Sequence, residues 1–404
     1  MIKRELYIKR IRPFFNKNIV KILVGMRRSG KSVMLQLIKN ELMETGTKEE
    51  QFIYINFESE KNSQLKHPEA LYKSVSDRIE KITGKAYIML DEIQEVEEWQ
   101  KVINSFMVDF DADIYITGSN AKLLSGEFAT YLAGRYVEIV IYPFSYSEVL
   151  DLYKADKNDF DENKVFLEYL QFGGMPFLYG IGYEPEASIL YLTDIYNSVI
   201  LKDVVQRNRI RDVELLDRII KFIISNVGST FSSKSISDYL KSEQRTVAPE
   251  TVYNYISACE NAYLFHKAAK QNLMGKALLR TQDKVFLSDH GIREAIYGNN
   301  RRDVEKTLEN IVYMELLRRG YKVTVGSING KEIDFVAERR NEKLYIQVTY
   351  VMGNEDTINR EFEPLLAIRD NYPKFVISML DEIDMSRDGI RHINIRDFLK
   401  ESQT

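Results

Sequence analysis

The sequence contains few of the residues that build disulfide-stapled or zinc-bound folds. It has one cysteine, Cys259, and four histidines among 404 residues, so an internal disulfide is excluded and a structural zinc site is not expected. With so little cysteine, a reducing cytoplasm is the simplest compartment. No apolar run approaches the roughly 18 residues of a membrane span, and the start of the chain lacks an apolar signal-peptide core. We therefore expect a cytoplasmic protein with no membrane partner.

Neither sign of charge is in large excess. Lysine and arginine total 56 against 60 aspartates and glutamates, which gives a net charge of −4. This balance excludes a histone-like or polybasic protein, so any contact with nucleic acid requires a local basic patch. Apolar residues make up 44% of the chain and charged residues 29%, as in ordinary globular proteins, which argues against disorder. At roughly 100 to 200 residues per domain, the length predicts two to four domains.

Short apolar segments alternate with helical patterns through the first 145 residues. Five of these segments lack proline and are rich in β-branched or aromatic residues. They predict buried strands over residues 19–24, 52–57, 86–90, 114–117 and 137–141. Because helix-like stretches such as 32–44 and 68–82 lie between them, we expect an α/β fold with helices on both faces of a parallel sheet.

The pattern changes after Pro143. Residues 147–172 and 186–224 have helical periodicity, interrupted by a turn at 173–176. Capped short helices at 235–240 and 249–261, followed by an apolar hairpin-like stretch, indicate a winged-helix-like layout. The remaining residues predict a second α/β unit. We therefore expect four domains, which comprise residues 1–145, 146–225, 226–285 and 286–404.

A glycine-rich segment directly follows the first predicted strand and fits the pattern GxxxxGK[ST]. Its two glycines permit backbone turns that let successive N–H groups and a helix N-terminus surround a phosphate chain. Lys31 would reach the β- and γ-phosphates, and the Ser32 hydroxyl would bind Mg²⁺. Because the chain has no Asn-Lys-x-Asp segment, ATP is the expected nucleotide. The predicted nucleotide-binding residues are Gly25, Met26, Arg27, Arg28, Ser29, Gly30, Lys31 and Ser32.

Further polar residues follow the third and fourth predicted strands. Asp91 ends the third strand and suits a contact with Mg²⁺, and the adjacent Glu92 suits activation of the attacking water. The fourth strand is expected to lie between the first and the third. Its terminal residues, Ser119 or Asn120, would then face the γ-phosphate, although they also fit an ordinary turn. Arg135 would supply a cation in cis or to a neighbouring chain's site, or is a surface arginine.

In these motifs the chain resembles prokaryotic AAA-family P-loop ATPases that carry a C-terminal restriction-endonuclease-like domain of the PD-(D/E)XK type. The resemblance implies a P-loop NTPase sheet of the AAA/ASCE type, ATP binding and the same domain architecture. The motifs that carry it are Gly25 to Ser32, Leu90-Asp91-Glu92-Ile93-Gln94 with Trp99, Thr117-Gly118-Ser119, Gly134-Arg135, Tyr142-Pro143-Phe144-Ser145, Gly173-Gly174-Met175-Pro176 and Glu332-Ile333-Asp334-Phe335.

The nuclease-like domain departs from the family pattern at its expected metal site. The resemblance assigns Glu309 and Asp334 to the first two acidic positions. At the third position the acid and the lysine are replaced by Gln347 and Thr349, which share one face of a strand. A neutral amide removes a metal-binding charge and threonine cannot replace lysine. We therefore expect a degenerate domain that does not cleave DNA.

Three functions remain open at this stage. The first is an ATP-hydrolysing molecular switch that acts on double-stranded DNA through the winged-helix-like segment, where Lys234, Lys241 and Arg245 lie near a predicted recognition helix. The second is an ATP-gated switch that binds a protein partner instead. The third is an ATP-dependent nuclease, against which Gln347 and Thr349 argue. The oligomeric state is left open.

Overall fold

The computed structural model describes residues 2–121, 132, 134–156, 159–274, 277–298, 300–353, 355–381 and 386–401, with the side chains of 277–282 excepted. The chain divides into two compact units. The first comprises residues 1–143 and 261–263, and the second comprises residues 144–260 and 264–404. No helix in the described part of the chain combines the length and the apolar character that crossing a bilayer requires.

The first unit is built on a parallel five-stranded sheet with the order β2-β3-β4-β1-β5. This confirms the predicted α/β fold and the predicted position of the fourth strand, because β4 pairs with both β1 and β3. The central strands β1, β3 and β4 are buried along their whole length, which explains their continuous apolar runs. The strands are β1 (Val20–Val24), β2 (Phe52–Asn56), β3 (Ala86–Asp91), β4 (Ala112–Gly118) and β5 (Tyr136–Val140).

Helices cover this sheet and bury their apolar faces against it. Tyr7, Ile8 and Ile11 of the first helix are fully buried in one core with Leu35 and Ile38. The N-terminal helix is therefore part of the core of the first unit. The α-helices of this unit are Glu5–Ile11, Lys31–Glu44, Pro68–Ile79 and Trp99–Asp109, and the 3₁₀ turns are Arg12–Phe14, Glu49–Gln51, Glu60–Lys66 and Ile93–Glu95.

The second unit contains helices and one eight-stranded sheet with the order β13-β12-β11-β10-β9-β7-β8-β6. Its strands are β6 (Thr230–Phe231), β7 (Phe265–Asn272), β8 (Ala277–Leu287), β9 (Lys322–Ile328), β10 (Lys331–Arg339), β11 (Glu342–Val348), β12 (Lys374–Ser378) and β13 (Ile390–Asn394). The parallel pairing of β7 with β9 joins the segment 226–285 to the segment 286–404. The sequence did not indicate that these two segments share one sheet, because the pairing of strands from distant segments produces no local sequence pattern.

The stretches of the second unit predicted to be helical contain helices, and the unit has further helices that the sequence did not predict. They are Tyr146–Asp156, Glu162–Phe172, Pro176–Gly180, Pro185–Ser198, Val213–Ser225, Ser233–Ser242, Pro249–Asn261, Gly291–Tyr297, Val304–Arg318, Glu355–Leu366 and Ile395–Lys400, with a π-helix at Val199–Gln206. The stretch 186–224, predicted to be helical in period, is not one helix but consists of two helices with the π-helix and a turn between them. The reason is local, because the Asp212 side chain caps the second helix by accepting from Leu215 N.

The break at 173–176 is explained by a close approach of the backbone to Asp289. Gly173 has a φ of +80°, and a Cβ there would lie 1.9 Å from an Asp289 carboxylate oxygen. The neighbouring Gly174 N–H donates to the same carboxylate at 2.8 Å. The glycine pair is therefore required by a buried hydrogen bond and not only by a turn.

Candidate functional site

The glycine-rich loop leaves the carboxyl end of β1 in a conformation that only glycine allows. Gly25 has a φ of +143°, and a Cβ at this position would lie 2.3 Å from the Ile141 carbonyl oxygen. Gly30, which precedes the helix Lys31–Glu44, has a φ of +98°. Both glycines of the predicted motif are thus needed by the backbone.

Lys31 is almost completely buried and lies across the loop. Its ammonium donates to the carbonyl oxygens of Gly25 at 3.2 Å and Met26 at 3.1 Å. It also lies 3.6 Å from Glu92 Oε1, so the structure joins the two main predicted residues of the site. The lysine thus has modest partners that phosphate oxygens could replace.

Asp91 is held rigidly at the carboxyl end of β3. One carboxylate oxygen accepts from the Thr117 hydroxyl at 2.5 Å. The other accepts from Tyr54 at 2.9 Å and Asn56 at 3.2 Å. Burial, reinforced by the charge of Asp91, raises the pKa of Tyr54, so its hydroxyl remains a donor. Sequence reasoning missed the roles of Tyr54 and Asn56, although their alternation with apolar residues on β2 was a usable signal.

Glu92 directly follows β3 and adopts a left-handed backbone with a φ of +56°. Its N–H donates to the Thr117 hydroxyl at 2.8 Å, and the same hydroxyl donates to Asp91. The Gln94 amide donates to the Glu92 carboxylate. A single threonine on β4 therefore fixes both acids. The unusual backbone directs Glu92 towards Lys31.

Three other predicted residues lie near the carboxyl ends of the strands, and they differ in burial. Ser119 and Asn120 are buried at the end of β4, which lies beside the end of β1. Ser32 is exposed in the first turn of the helix that follows the loop. The carboxyl ends of β1, β3 and β4 thus bring the loop, both acids and the β4 end to the same edge.

Arg135 lies at the opposite end of the strands, where β1 and β5 begin. Its carbonyl oxygen accepts from Val20 N at 3.0 Å, beside the start of β1, and its guanidinium donates to Asn104 at 3.0 Å. The loop follows the end of β1, about 16 Å away at roughly 3.3 Å per strand residue. Within one chain the structure does not bring Arg135 to this site, so the remaining alternatives are a role towards a neighbouring chain and an ordinary surface arginine.

Sequence reasoning missed Arg4, which braces the glycine-rich loop. Its guanidinium is buried and donates to the carbonyl oxygens of Ser29 at 3.2 Å and Tyr142 at 2.8 Å. It also lies 4.5 Å from the centre of the Tyr7 ring. No motif indicates this residue, because one arginine in a basic N-terminal stretch resembles any surface cation.

The loop has the donors that a phosphate chain requires. The Ser29 hydroxyl is buried, and among the described residues it has no hydrogen-bond partner. The Lys31 ammonium and the N-terminus of its helix supply positive charge beside it. Ser32 and Asp91 offer the hard oxygen ligands that Mg²⁺ prefers. These residues fit a Mg²⁺-bound nucleoside triphosphate.

The predicted nuclease-like residues lie in a second polar cluster. The structure brings Glu309 and Asp334 together around Lys284, at 3.1 and 3.6 Å from its ammonium. Gln347 instead accepts from the backbone N–H of Asp334 at 3.3 Å, and Thr349 is buried. Sequence reasoning did not assign Lys284 to this cluster.

Burial and the neighbouring charges together set the pKa values of the second cluster. Burial raises the pKa of both Glu309 and Asp334. Burial alone would lower the pKa of Lys284, but the surrounding carboxylates outweigh it and raise that pKa. Lys284 therefore remains an ammonium ion.

Two family matches cover most of the chain. Residues 17–150 match the family described as an AAA domain. Residues 163–303 match a domain of unknown function, DUF8612.

Relatives extend the similarity to the full length. An uncharacterized protein of Haemophilus influenzae is 39% identical over 399 residues, which covers 99% of this chain and 98% of the relative. The uncharacterized protein MJ1544 of Methanocaldococcus jannaschii is 30% identical over 384 residues, which covers 92% and 82% of the two chains.

A solved structure is similar in fold. The Walker-type ATPase PABY2304 of Pyrococcus abyssi matches with a TM-score of 0.50 and 15% identity, over 73% of this chain and 95% of that chain. The loop geometry, the sheet order and these matches agree. The chain is a nucleotide-binding P-loop ATPase of the AAA type, and it belongs to the same family as the uncharacterized Haemophilus influenzae protein.

Proposed function

We propose that this protein is a Mg²⁺-dependent ATP hydrolase that works as a nucleotide-driven molecular switch. The observation that carries the proposal is the short distance of 3.6 Å between the Lys31 ammonium and the Glu92 carboxylate at the end of the glycine-rich loop. A phosphate-binding cation and a candidate general base therefore adjoin one another, as hydrolysis of a terminal phosphate requires.

The side chains have separate roles in this reaction. Lys31 donates to phosphate oxygens, and Ser32 and Asp91 hold the metal ion. Bound Mg²⁺ would neutralise negative charge on the phosphates. Glu92 accepts the proton of the attacking water, while Thr117 keeps Glu92 and Asp91 in register.

The ion pair also supplies a mechanism for switching. Phosphate oxygens compete with Glu92 for Lys31, so nucleotide binding frees Glu92 to accept a proton from water. The Thr117 hydroxyl links Glu92 to β4, and β4 ends at Gly118, directly before Ser119 and Asn120. A change at the acids is thereby coupled to the residues proposed to report the γ-phosphate.

The effector segment is the winged-helix-like part of the second unit. Its helix, strand, helix, helix, strand, strand order, from Val213–Ser225 to β8, supports that interpretation. The helix Pro249–Asn261 carries Glu250 and Glu260 but no lysine or arginine. Such a helix is poorly suited to contact phosphates.

Ion pairs reduce the basic character of this segment further. Arg245 pairs with Asp212 at 2.9 Å and Glu214 at 3.0 Å, and Lys267 pairs with Glu260 at 2.8 Å. These are two of the four basic residues in 232–269. The charge distribution therefore favours a protein partner over double-stranded DNA, with Lys234 and Lys241 as the exposed cations through which DNA would bind.

ATP turnover with and without Mg²⁺ tests the enzymatic part. We expect Lys31→Ala to lose both nucleotide binding and hydrolysis, because the phosphates lose their main cation. Lys39→Ala, on the same helix but paired with Glu49, is the matched control and should keep activity. Hydrolysis by Lys31→Ala at the rate of the wild type would exclude this site. GTP should be a weak substrate.

A salt titration of binding to double-stranded DNA tests the choice of partner. Lys234→Ala/Lys241→Ala should bind like wild type if the partner is a protein. The control Lys73→Ala/Lys81→Ala removes the same charge from exposed positions of the first unit. Wild-type DNA binding that weakens steeply with salt, and that only the first double variant reduces, would establish the DNA-binding alternative.

A nuclease is the least supported function. We propose that the second cluster does not cleave DNA, since Gln347 is engaged with backbone and Lys284 lies between the carboxylates. Plasmid DNA should stay intact with Mg²⁺ or Mn²⁺, with or without ATP. Cleavage that Asp334→Ala abolishes but Lys31→Ala does not would refute this.

A further inference from the structure

The second unit contains three carboxylates that converge on one buried ammonium. Glu309 lies on the helix Val304–Arg318, Glu332 and Asp334 lie on β10, and we call them the carboxylate cluster. Lys284 on β8 lies 3.1, 2.8 and 3.6 Å from Glu309, Glu332 and Asp334 respectively. The lysine side chain is only 5% exposed.

A buried lysine with three acidic partners is held in place, unlike a lysine on the surface. Removing charge from water is costly, and only close opposite charges offset that cost. Glu309 and Asp334 are themselves only 13% and 9% exposed, so they depend on the ammonium in turn. A second lysine, Lys270 on β7, pairs with Glu332 at 3.1 Å, which is its one ion pair in the described part of the chain, and lies at the margin of the cluster.

The residues do not fit the metal ion that the nuclease-like resemblance implies. Mg²⁺ requires oxygen ligands at about 2.0 to 2.1 Å in near-octahedral geometry. Lys284 Nζ occupies the space among the three carboxylates and repels a second cation. Within the described residues, no group of three or more acidic, histidine or cysteine side chains has an arrangement that could hold a metal, so the carboxylates as they stand around the ammonium would have to close in to ligate an ion.

We propose that the Lys284 ammonium takes the place of a divalent metal in the carboxylate cluster. The cluster is then a cation site filled by the chain itself, and it ties β8 to β10 and to the helix Val304–Arg318. Two consequences follow. The wild-type protein does not bind a divalent metal there, and removal of the Lys284 side chain opens the cluster to one.

Binding of Mn²⁺ alone to the full-length, nucleotide-free protein tests this. The electron paramagnetic resonance signal of free Mn²⁺ measures how much is bound. Wild type should bind none at the cluster, Lys284→Ala should bind one equivalent, and Lys284→Ala/Asp334→Asn should lose it. Lys270→Ala is the matched control, since it removes a lysine that touches the cluster only at Glu332.

Thermal unfolding gives a second readout if the variant is unstable. Lys284→Ala leaves Glu309, Glu332 and Asp334 without their shared ammonium, so its Tm should fall, and Mn²⁺ should raise the Tm of this variant but not that of wild type. A Lys284→Ala protein that neither binds Mn²⁺ nor gains stability from it would overturn the proposal. An equivalent of Mn²⁺ on wild type that Asp334→Asn removes would overturn it as well.

Discussion

The substitution Glu92→Gln tests two roles of Glu92 together. One is to accept the proton of the attacking water, and the other is to pair with Lys31 in competition with the phosphates. Glutamine keeps the size of the side chain but can neither accept a proton readily nor pair with the ammonium. We therefore expect turnover to fall while ATP binding becomes tighter, because the phosphates no longer compete with a carboxylate for Lys31. Loss of turnover alone would indicate only a general base.

The structure sets the size of both effects. Loss of a general base lowers turnover about 10²- to 10⁴-fold. At an effective dielectric constant of about 20, charges 3.6 Å apart attract each other by roughly 4.6 kcal/mol. Desolvation of both groups offsets most of this. A net contribution of about 1 kcal/mol corresponds to about a fivefold lower Kd for ATP.

Two measurements check this prediction. Titration with a fluorescent ATP analogue gives the Kd, and phosphate release gives the turnover. Glu95→Gln, at an exposed position three residues further on, is the control and should change neither quantity. Unchanged turnover in Glu92→Gln would show that another group is the base, and weaker ATP binding would refute competition between Glu92 and the phosphates.

Three further predictions follow from the geometry. Gly25→Ala should abolish ATP binding because its Cβ meets a backbone oxygen at 2.3 Å, whereas Gly46→Ala, also at positive φ but with nothing within 4 Å, should bind normally. Arg4→Gln leaves one buried and one partly buried carbonyl oxygen without the guanidinium, so it should cost about 2 to 3 kcal/mol of unfolding free energy and weaken ATP binding, unlike Lys9→Gln; equal melting temperatures would contradict this. Burial lowers the pKa of His290 to about 4, so the native state resists protonation while the unfolded chain does not. Stability is therefore lost as pH falls from about 6.5 to about 4, by about 2 kcal/mol at pH 5, and urea unfolding of His290→Gln should lack that part of the loss.

The first unit was largely predictable because its signals are local. The central strands β1, β3 and β4 are continuous buried runs, and the glycine pattern is set by backbone geometry at Gly25 and Gly30. The spacing between Lys31 and Asp91 also indicated that one strand intervenes, and β4 does. The strands and the glycine pattern are set by neighbouring residues, and the strand order is indicated by the spacing of two motifs along the chain, so one sequence is enough to detect them.

The residues that sequence reasoning missed are held by contacts between distant segments. Arg4 reaches the carbonyl oxygen of Tyr142, and Lys270 and Lys284 reach β10 across strand pairings that join two predicted domains. Neither kind of contact produces a periodic pattern or a motif in the sequence. Arg135 does not reach the site of its own chain because it precedes β5, and the parallel pairing places the start of β5 beside the start of β1.

Three buried lysines of this chain show why burial alone does not identify a functional cation. Lys21 is fully buried and paired with one acid, Asp113, beside the Tyr115 ring, so its charge is used inside the first core. Lys284 has three carboxylate partners. A ligand could bind its ammonium only by drawing it away from all three, which would leave their charges without a counter-ion.

Lys31 differs from both in the partners that hold it. Two backbone carbonyl oxygens and one carboxylate at 3.6 Å are weaker partners than a phosphate chain that approaches along the loop. Of these three lysines, it is therefore the one that a ligand can recruit at low cost. The strength of the existing partners, and not the degree of burial, separates the binding lysine from the two structural ones.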